Sequence, residues 1–444
     1  MPKERQNFTG AEKMAILREH LIEKVPILEV CEKHGLQPTV FYGWQKKLFE
    51  EGAAVFEPPR ALAEARDHFG GLEYLHLFDW GNCGPHGRIY GRIGDDDPYE
   101  FIKGGRENLH DAIADVRRGG TPVGLYIEGY LLDERGKLGR RHGRDWQMLD
   151  ARGSGCRWPN STEIYVCPGV PEWRQVQAAT YAAKVSQLDV DGMYIDQFGF
   201  TGTDKDCYSD RHGHAVPSYP VQTELETTRA IRQAVDSAKP GVAIYTEESP
   251  CDVTTQYQDG SFTYAMSECR GRRTTVPLNL FRFAVPDFKT FEILICDRPT
   301  GSWATGVRWT FFNGEGLWLE GPADEWFAPE TLATIRRCHA ILRQHRDAFT
   351  SDHPRPLVPT LAGGIYANYF PTDRKEVWTL YNARHRTFRG DVLRVNYRVG
   401  WTWRDAWHDC PADVRRDGPC DVVSTTIGPE GTGCVVRSSP TPAP

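Results

Sequence analysis

The spacing of apolar residues along this chain changes character twice. Near the start, Ile16, Leu17, Leu21 and Val25 recur at helical intervals. Thr9 can cap that helix, and Glu12 stands three positions on, as a capping box requires. Pro26 closes the segment, residues 27–34 predict a short second helix, and Gly35-Leu36 predicts a tight turn. Residues 38–48 predict a third helix with Pro38 in its first turn. Helix, glycine turn, helix is a helix-turn-helix pattern. Glu50-Glu51-Gly52-Ala53-Ala54 and Pro58-Pro59 predict a linker after it.

Beyond residue 70 short apolar runs alternate with amphipathic ones, which predicts strands and helices in a parallel α/β sheet. Strands are expected at 72–78, 123–127, 191–195 and 242–245, with weaker ones at 261–265, 282–285 and 316–319. Helices are expected at 108–118, 173–188, 221–238 and 329–349. Seven strands are one short of a closed barrel, and residues 56–71 are too few for a strand-helix unit ahead of the first. The expected fold class is α/β, a (β/α) TIM-type barrel lacking its first strand. Past residue 350 the pattern turns to short strands at 364–370, 376–381 and 392–395 between turn residues, which predicts a β-sandwich. The divisions expected are therefore 1–55, 56–349 and 350–437, with a disordered Ser/Pro tail at 438–444.

Composition narrows the partners. The net charge of −7 over 444 residues argues against a protein that coats nucleic acid. No apolar run is long enough to span a bilayer, so no membrane partner is expected, and the N-terminus lacks an apolar signal core. The 12 cysteines are scattered without a CxxC pair, which predicts free thiols in a reducing, cytoplasmic compartment. No cofactor is expected. His212 and His214 show no further ligand at metal-binding spacing, so no metal is expected either.

Acids end the predicted strands repeatedly: Asp79, Glu128, Asp196, Glu247 and, at the weak strand, Asp287. In a (β/α) barrel those ends converge on one face. A carboxylate there is costly to desolvate unless it lines a cleft, caps a helix or meets a buried cation. Two carboxylates across a sugar-sized cleft are what glycoside hydrolysis uses, one ionised and attacking, the other protonated and donating. Asp79, Trp80, Glu128, Gln197, His212 and His214 are candidate substrate contacts. Glu128 reads equally as a salt-bridge partner. His212 and His214 could contact sugar hydroxyls, orient Asp196, or belong to a loop held by its own hydrogen bonds. Trp80, Trp303 and Trp309 could stack on a pyranose or pack in the core. Of the adjacent acids Glu247 and Glu248, strand alternation turns only one toward the barrel axis.

Two resemblances add to this reading. Phe8-Thr9, Glu12-Lys13, Ile16, Val30-Cys31, His34-Gly35-Leu36 and Thr39-Phe41-Tyr42-Trp44 resemble the helix-turn-helix protein of insertion-element transposases over about the first fifty residues. That resemblance implies DNA as a partner of residues 1–55, with Gln37, Thr39, Val40, Gly43 and Lys46 nearest the bases. Residues 1–50 carry eight basic and seven acidic side chains, a weak electrostatic footprint for such a partner.

The second is carried by Cys167-Pro168-Gly169 with Trp173, Asp191-Gly192-Met193-Tyr194-Ile195-Asp196-Gln197, Cys207-Tyr208, His212-Gly213-His214 and Thr246-Glu247. These resemble a family of uncharacterised bacterial glycoside-hydrolase-like barrels, a domain of unknown function, and the likeness extends over 72–319. In architecture the chain is also similar to the α-amylase superfamily and the endo-α-N-acetylgalactosaminidases. Those resemblances imply Asp196 as nucleophile after the fourth strand and Glu247 as acid/base after the fifth. The function expected is hydrolysis of a glycosidic bond in a carbohydrate substrate, with retention. Two alternatives stand beside it. One is a fusion of a transposase-derived DNA-binding segment with an inactive hydrolase remnant; the other is a non-catalytic carbohydrate-binding protein.

Overall fold

The computed structural model describes residues 10–21, 23–51, 60–78, 80, 99, 102, 104–198, 206–218, 220–247, 252–263, 277–295, 303–320 and 327–440. The chain divides into two compact units between His68 and Phe69.

The first unit holds α1 (Gly10–Leu21), α2 (Ile27–Lys33), α3 (Pro38–Glu51) and most of α4 (Arg60–Phe69). Ile16, Leu17, Val30, Cys31 and Phe41 bury a small core, with Leu36 and Trp44 packed against it. Gly35 turns the chain between α2 and α3 at φ +64°, a left-handed value that a residue without Cβ adopts freely. Glu19 on α1 accepts from Lys33 at 3.1 Å and meets His34 at 2.9 Å, tying α1 to the α2–α3 turn. Thr9 and the Glu12 side chain, the expected cap, lie outside the described residues.

The second unit opens with β1 (Leu75–Leu77), α5 (Gly105–Arg118) and β2 (Val123–Glu128). A two-stranded excursion, β3 (Leu131–Asp133) and β4 (Glu163–Tyr165), encloses α6 (Lys137–Trp146). Then come α7 (Pro171–Leu188), β5 (Gly192–Asp196), α8 (Pro220–Ala238), β6 (Ala243–Glu247) and β7 (Gly260–Thr263). The barrel segment finishes with α9 (Leu280–Ala284), β8 (Lys289–Ile295), α10 (Trp303–Phe312), β9 (Gly316–Glu320), α11 (Pro329–Gln344) and α12 (Arg346–Phe349). Seven parallel strands pair in the order β1-β2-β5-β6-β7-β8-β9. This is the curled parallel sheet that seven candidate strands predict.

The interior of the curl is aromatic. Each strand contributes one ring: His76, Tyr126, Tyr194, Tyr245, Phe262, Phe291 and Trp318. Among the described residues the two edge strands are not hydrogen-bonded to each other, yet His76 on β1 and Trp318 on β9 bring their ring centroids to 4.3 Å. Large rings fill the volume between the two edge strands. His76 also meets the Tyr245 hydroxyl at 2.9 Å, and burial pushes its imidazole down to about 3, so it stays neutral.

One weak strand is corrected. Residues 282–285 lie in helix α9 and its exit, and the strand is Lys289–Ile295. Arg282 is buried, donating to the Phe349 carbonyl at 2.5 Å beneath the Phe370 ring, which a barrel strand would not allow. Asp287 therefore precedes β8 instead of ending a strand.

The C-terminal strands are β10 (Arg355–Val358), β11 (Ile365–Pro371), β12 (Lys375–Asn382), β13 (Phe388–Asn396), β14 (Thr402–Asp405), β15 (Cys410–Pro411), β16 (Asp413–Asp417), β17 (Cys420–Ile427) and β18 (Thr432–Ser438). They form a six-stranded and a three-stranded antiparallel sheet around Ala367, Trp378, Leu380, Leu393, Val423 and Val435. This sandwich packs on the α10–α12 side of the barrel: Asn368 and Thr379 both donate to the Phe312 carbonyl, at 2.8 and 2.5 Å. Residues 441–444 of the tail lie outside the described residues.

Candidate active site

Three of the strand-ending acids come together. Glu128 and Asp196 are register partners at the ends of β2 and β5, and Glu247 ends the next strand, β6. Each stands two residues after a tyrosine of the barrel interior: Tyr126, Tyr194 and Tyr245. Residues two apart on a strand face the same side, so each tyrosine and its acid point inward together.

The tyrosines hold the central carboxylate. Tyr126 donates to Asp196 Oδ2 at 2.6 Å and Tyr194 to Oδ1 at 2.8 Å. Both hydroxyls are committed, so Asp196 is presented in a fixed orientation. Burial first, and then the Asp196 charge, push the Tyr194 phenol well above its ordinary value and keep it a donor. The chain turns sharply after Asp196. Gln197 adopts φ +62°, an uncommon conformation for a side-chain-bearing residue, and its amide donates to Glu247 Oε2 at 3.2 Å. The backbone leaving Asp196 thus grips the neighbouring acid. The Gln197 side chain is buried.

Glu128 is fully buried and accepts from the amides of Tyr130 at 2.9 Å and Leu131 at 3.3 Å. Burial first, and the adjacent Asp196 second, raise its carboxyl well above the ordinary 4.5. Both causes favour the neutral form of Glu128. Gly129 lets the ends of β2 and β5 touch; its amide reaches the Asp196 carbonyl at 3.2 Å, and a Cβ would stand 2.6 Å from that oxygen.

This protonation has a consequence for stability. A carboxyl whose folded value lies above its unfolded one ionises more readily in the unfolded chain, so native stability falls as pH rises past 4.5. Glu128→Gln keeps the acceptor for both amides and removes that penalty. The variant is expected to match wild type below pH 4.5 and to exceed it increasingly toward neutrality, measured by urea unfolding across pH.

The remaining candidates separate. Asp79 and Glu248 lie outside the described residues, as does the Trp303 side chain. Trp80 is buried; its indole N–H donates to the Tyr126 carbonyl at 2.6 Å, and Tyr99 and Lys184 pack on its ring. That is a packing geometry. Trp309 packs edge-on against Tyr381 at 6.5 Å. His212 and His214 turn toward sulfur: His212 Nδ1 lies 3.2 Å from Cys207 Sγ and His214 Nε2 3.1 Å from Cys167 Sγ. The fold thus sets Cys167 and Cys207 against the two histidines, neighbours that sequence spacing did not reveal. Sequence reasoning also missed Phe78. It is exposed beside the site, with its ring 4.5 Å from that of Tyr126.

A curled parallel sheet with paired acids at adjacent strand ends places the second unit in the glycoside-hydrolase-like barrel class. The chain belongs to the family described as a domain of unknown function (DUF6259), whose model matches residues 59–284. A transposase family model matches residues 2–69. A Bacteroides thetaiotaomicron protein whose name proposes a glycoside hydrolase is 24% identical over 175 residues. That match covers 37% of this chain and 23% of that protein, so the chain spans about a quarter of the curated relative it matches.

Among solved structures the fold is that of the α-amylases. An α-amylase of Geobacillus thermoleovorans, complexed with acarbose, aligns with a TM-score of 0.58 at 12% identity, covering 87% of this chain and 95% of that one. A noncanonic maltogenic α-amylase of Thermotoga neapolitana aligns with a TM-score of 0.57 at 12% identity, covering 84% and 92%. A debranching enzyme of Nostoc punctiforme aligns with a TM-score of 0.56 at 11% identity, covering 84% and 87%. No helix of the described residues is long and apolar enough to cross a membrane.

Proposed function

We propose that the second unit hydrolyses a glycosidic bond with retention, Asp196 attacking the anomeric carbon and Glu247 protonating the leaving oxygen. The observation that carries this reading is the coupled pair at adjacent strand ends: Asp196 oriented by two tyrosine hydroxyls, and Glu247 tied to the amide of Gln197. Glu128 supports it as a neighbour whose neutral form burial favours, which limits the negative charge crowded beside Asp196. The exposed Phe78 ring offers an apolar face to the sugar. After attack, the same Glu247 accepts a proton from water as the glycosyl-Asp196 ester is hydrolysed. The test is turnover of activated aryl glycosides, with NMR of the first-formed anomer. Retention goes with carboxylates about 5–5.5 Å apart; an inverted product would transfer Asp196 to the role of base and overturn the nucleophile assignment. A cytoplasmic location belongs to this reading, supported by eight cysteines that are free among the described residues.

A second activity is favoured by the transposase match over residues 2–69: DNA recognition by α3. Gln37, Thr39, Val40 and Gly43 are exposed at its start, while Phe41 anchors the opposite face; the Lys46 side chain lies outside the described residues. Gel-shift titration of the full chain is expected to show weak binding that steepens as salt falls. Equal binding by a Gln37→Ala/Thr39→Ala double variant would remove α3 as the reading helix.

A further inference from the structure

Four side chains outside the carboxylate cluster converge without a role in the proposed reaction. Cys167, Cys207, His212 and His214 bring one sulfur or nitrogen atom each within 4.8 Å of one another. Cys167 lies just ahead of α7, and the other three lie in the 206–218 segment between β5 and α8. The backbone is built to bring these segments together. Gly213 donates to the Gly169 carbonyl at 3.2 Å, Tyr208 to the Leu149 carbonyl at 2.8 Å, and the Cys207 amide to Ser218 Oγ at 2.7 Å. Cys167, Cys207 and His212 are buried and His214 is half-buried.

The hydrogen bonds fix which nitrogen of each ring is free. His212 Nε2 lies 2.9 Å from the Asp145 carbonyl, and His214 Nδ1 lies 2.7 Å from the Ala215 carbonyl. A carbonyl only accepts, so those nitrogens carry the protons. The opposite nitrogens, His212 Nδ1 and His214 Nε2, then direct lone pairs at the two sulfurs from 3.2 and 3.1 Å. Carbonyl-bonded histidines with their other nitrogens turned inward are the usual outer shell of a metal site. The Gly169 amide lies 3.4 Å from Cys167 Sγ, a further donor to a thiolate, and a Cβ at Gly169 would run into the His214 ring.

We propose that Cys167, Cys207, His212 and His214 bind one Zn2+ ion in a closed tetrahedral site. Two sulfurs and two imidazole nitrogens without a carboxylate select zinc over magnesium or calcium. Around zinc, with Zn–S about 2.3 Å and Zn–N about 2.0 Å, neighbouring ligand atoms stand about 3.5 Å apart. The two sulfur–nitrogen distances, 3.2 and 3.1 Å, lie a few tenths of an ångström below that value, and all four atoms lie within 4.8 Å of one another. All four positions are filled by protein, so the ion is structural, with no open position for water or substrate. It staples the segment that follows the Asp196 strand to the excursion between β2 and α7. The inference stands on the cysteine and histidine geometry and does not depend on the glycosidase reading.

The test uses the full chain, purified without chelator or metal-affinity resin, with metal measured by mass spectrometry. One zinc per chain is expected. Cys207→Ser and His214→Ala should each lower it at least tenfold, while Cys420→Ser in the C-terminal sheet should leave it unchanged. Replacement of the ion by Co2+ in the wild-type chain should give a thiolate-to-cobalt charge-transfer band and tetrahedral d–d bands, a readout that needs no variant to fold. Stripping the ion with a chelator should lower the melting temperature, and zinc alone should restore it. A folded, reduced wild-type chain that contains no zinc and develops no cobalt bands overturns the proposal. So does isolation of Cys167 and Cys207 as a disulfide that takes up no metal after reduction.

Discussion

An Asp196→Asn chain is expected to fold and to lose roughly 10^4-fold or more in kcat/KM on an activated aryl glycoside, the scale seen when a covalent nucleophile is removed. An amide oxygen can still accept from Tyr126 or Tyr194, so the strand end keeps a hydrogen-bonded partner. The Asp196 charge, second to burial among the causes that raise the Glu128 carboxyl, is gone, which lowers the cost of burying Glu128 at neutral pH. Thermal stability should therefore hold or rise while turnover collapses. Loss of both together would mean that the substitution had broken the fold and would say nothing about chemistry. Wild-type rates in a folded Asp196→Asn chain would remove Asp196 as nucleophile. The leaving group separates the two acids further. Glu247→Gln should hurt substrates with poor leaving groups far more than activated ones, because only the former need a proton delivered.

The main elements of the barrel were legible because their apolar runs were bounded by glycine, proline and acid residues. β2, β5 and β6 are buried along almost their whole length, and such strands read as plain apolar runs. β8 was not legible, for a physical reason. Lys289, Thr290 and Glu292 interrupt its apolar pattern; Lys289 is exposed, while Thr290 and Glu292 are buried. Thr290 and Asn279 both donate to Glu315, whose carboxyl burial pushes up to about 8. Residues 282–285 read as the strand instead, but tertiary packing around Arg282 makes that stretch helical through Ala284.

In the candidate site the acids were found by their position at strand ends, while their supports were overlooked. The repeated Tyr-x-acid spacing at residues 126–128, 194–196 and 245–247 was present in the sequence, and period-two alternation would have put each pair on one face. The cysteine–histidine cluster had no comparable signal. Its ligands are separated by α7 and β5, and only the fold brings Cys167 to the loop that carries the other three.

Tyr194 is where barrel packing and proposed chemistry meet, and its substitution should divide the two. The side chain is fully buried, and His76, Tyr126, Tyr245, Phe262 and Trp318 all pack on its ring within 5.8 Å between centroids. Tyr194→Ala should cost about 3–5 kcal/mol, because rings from both edge strands lose a shared neighbour and cannot collapse into the space. Tyr194→Phe keeps the ring and removes only the donor to Asp196 Oδ1. It should cost about 1.5–3 kcal/mol, the range for a hydrogen bond to a charged group. The same Phe substitution made on top of Asp196→Asn should cost only about 0.5–1.5 kcal/mol, because the partner is then neutral. Denaturant unfolding of the four chains closes a double-mutant cycle. A coupling near zero would mean that Tyr194 serves the barrel alone, and that the orientation of Asp196 rests on Tyr126.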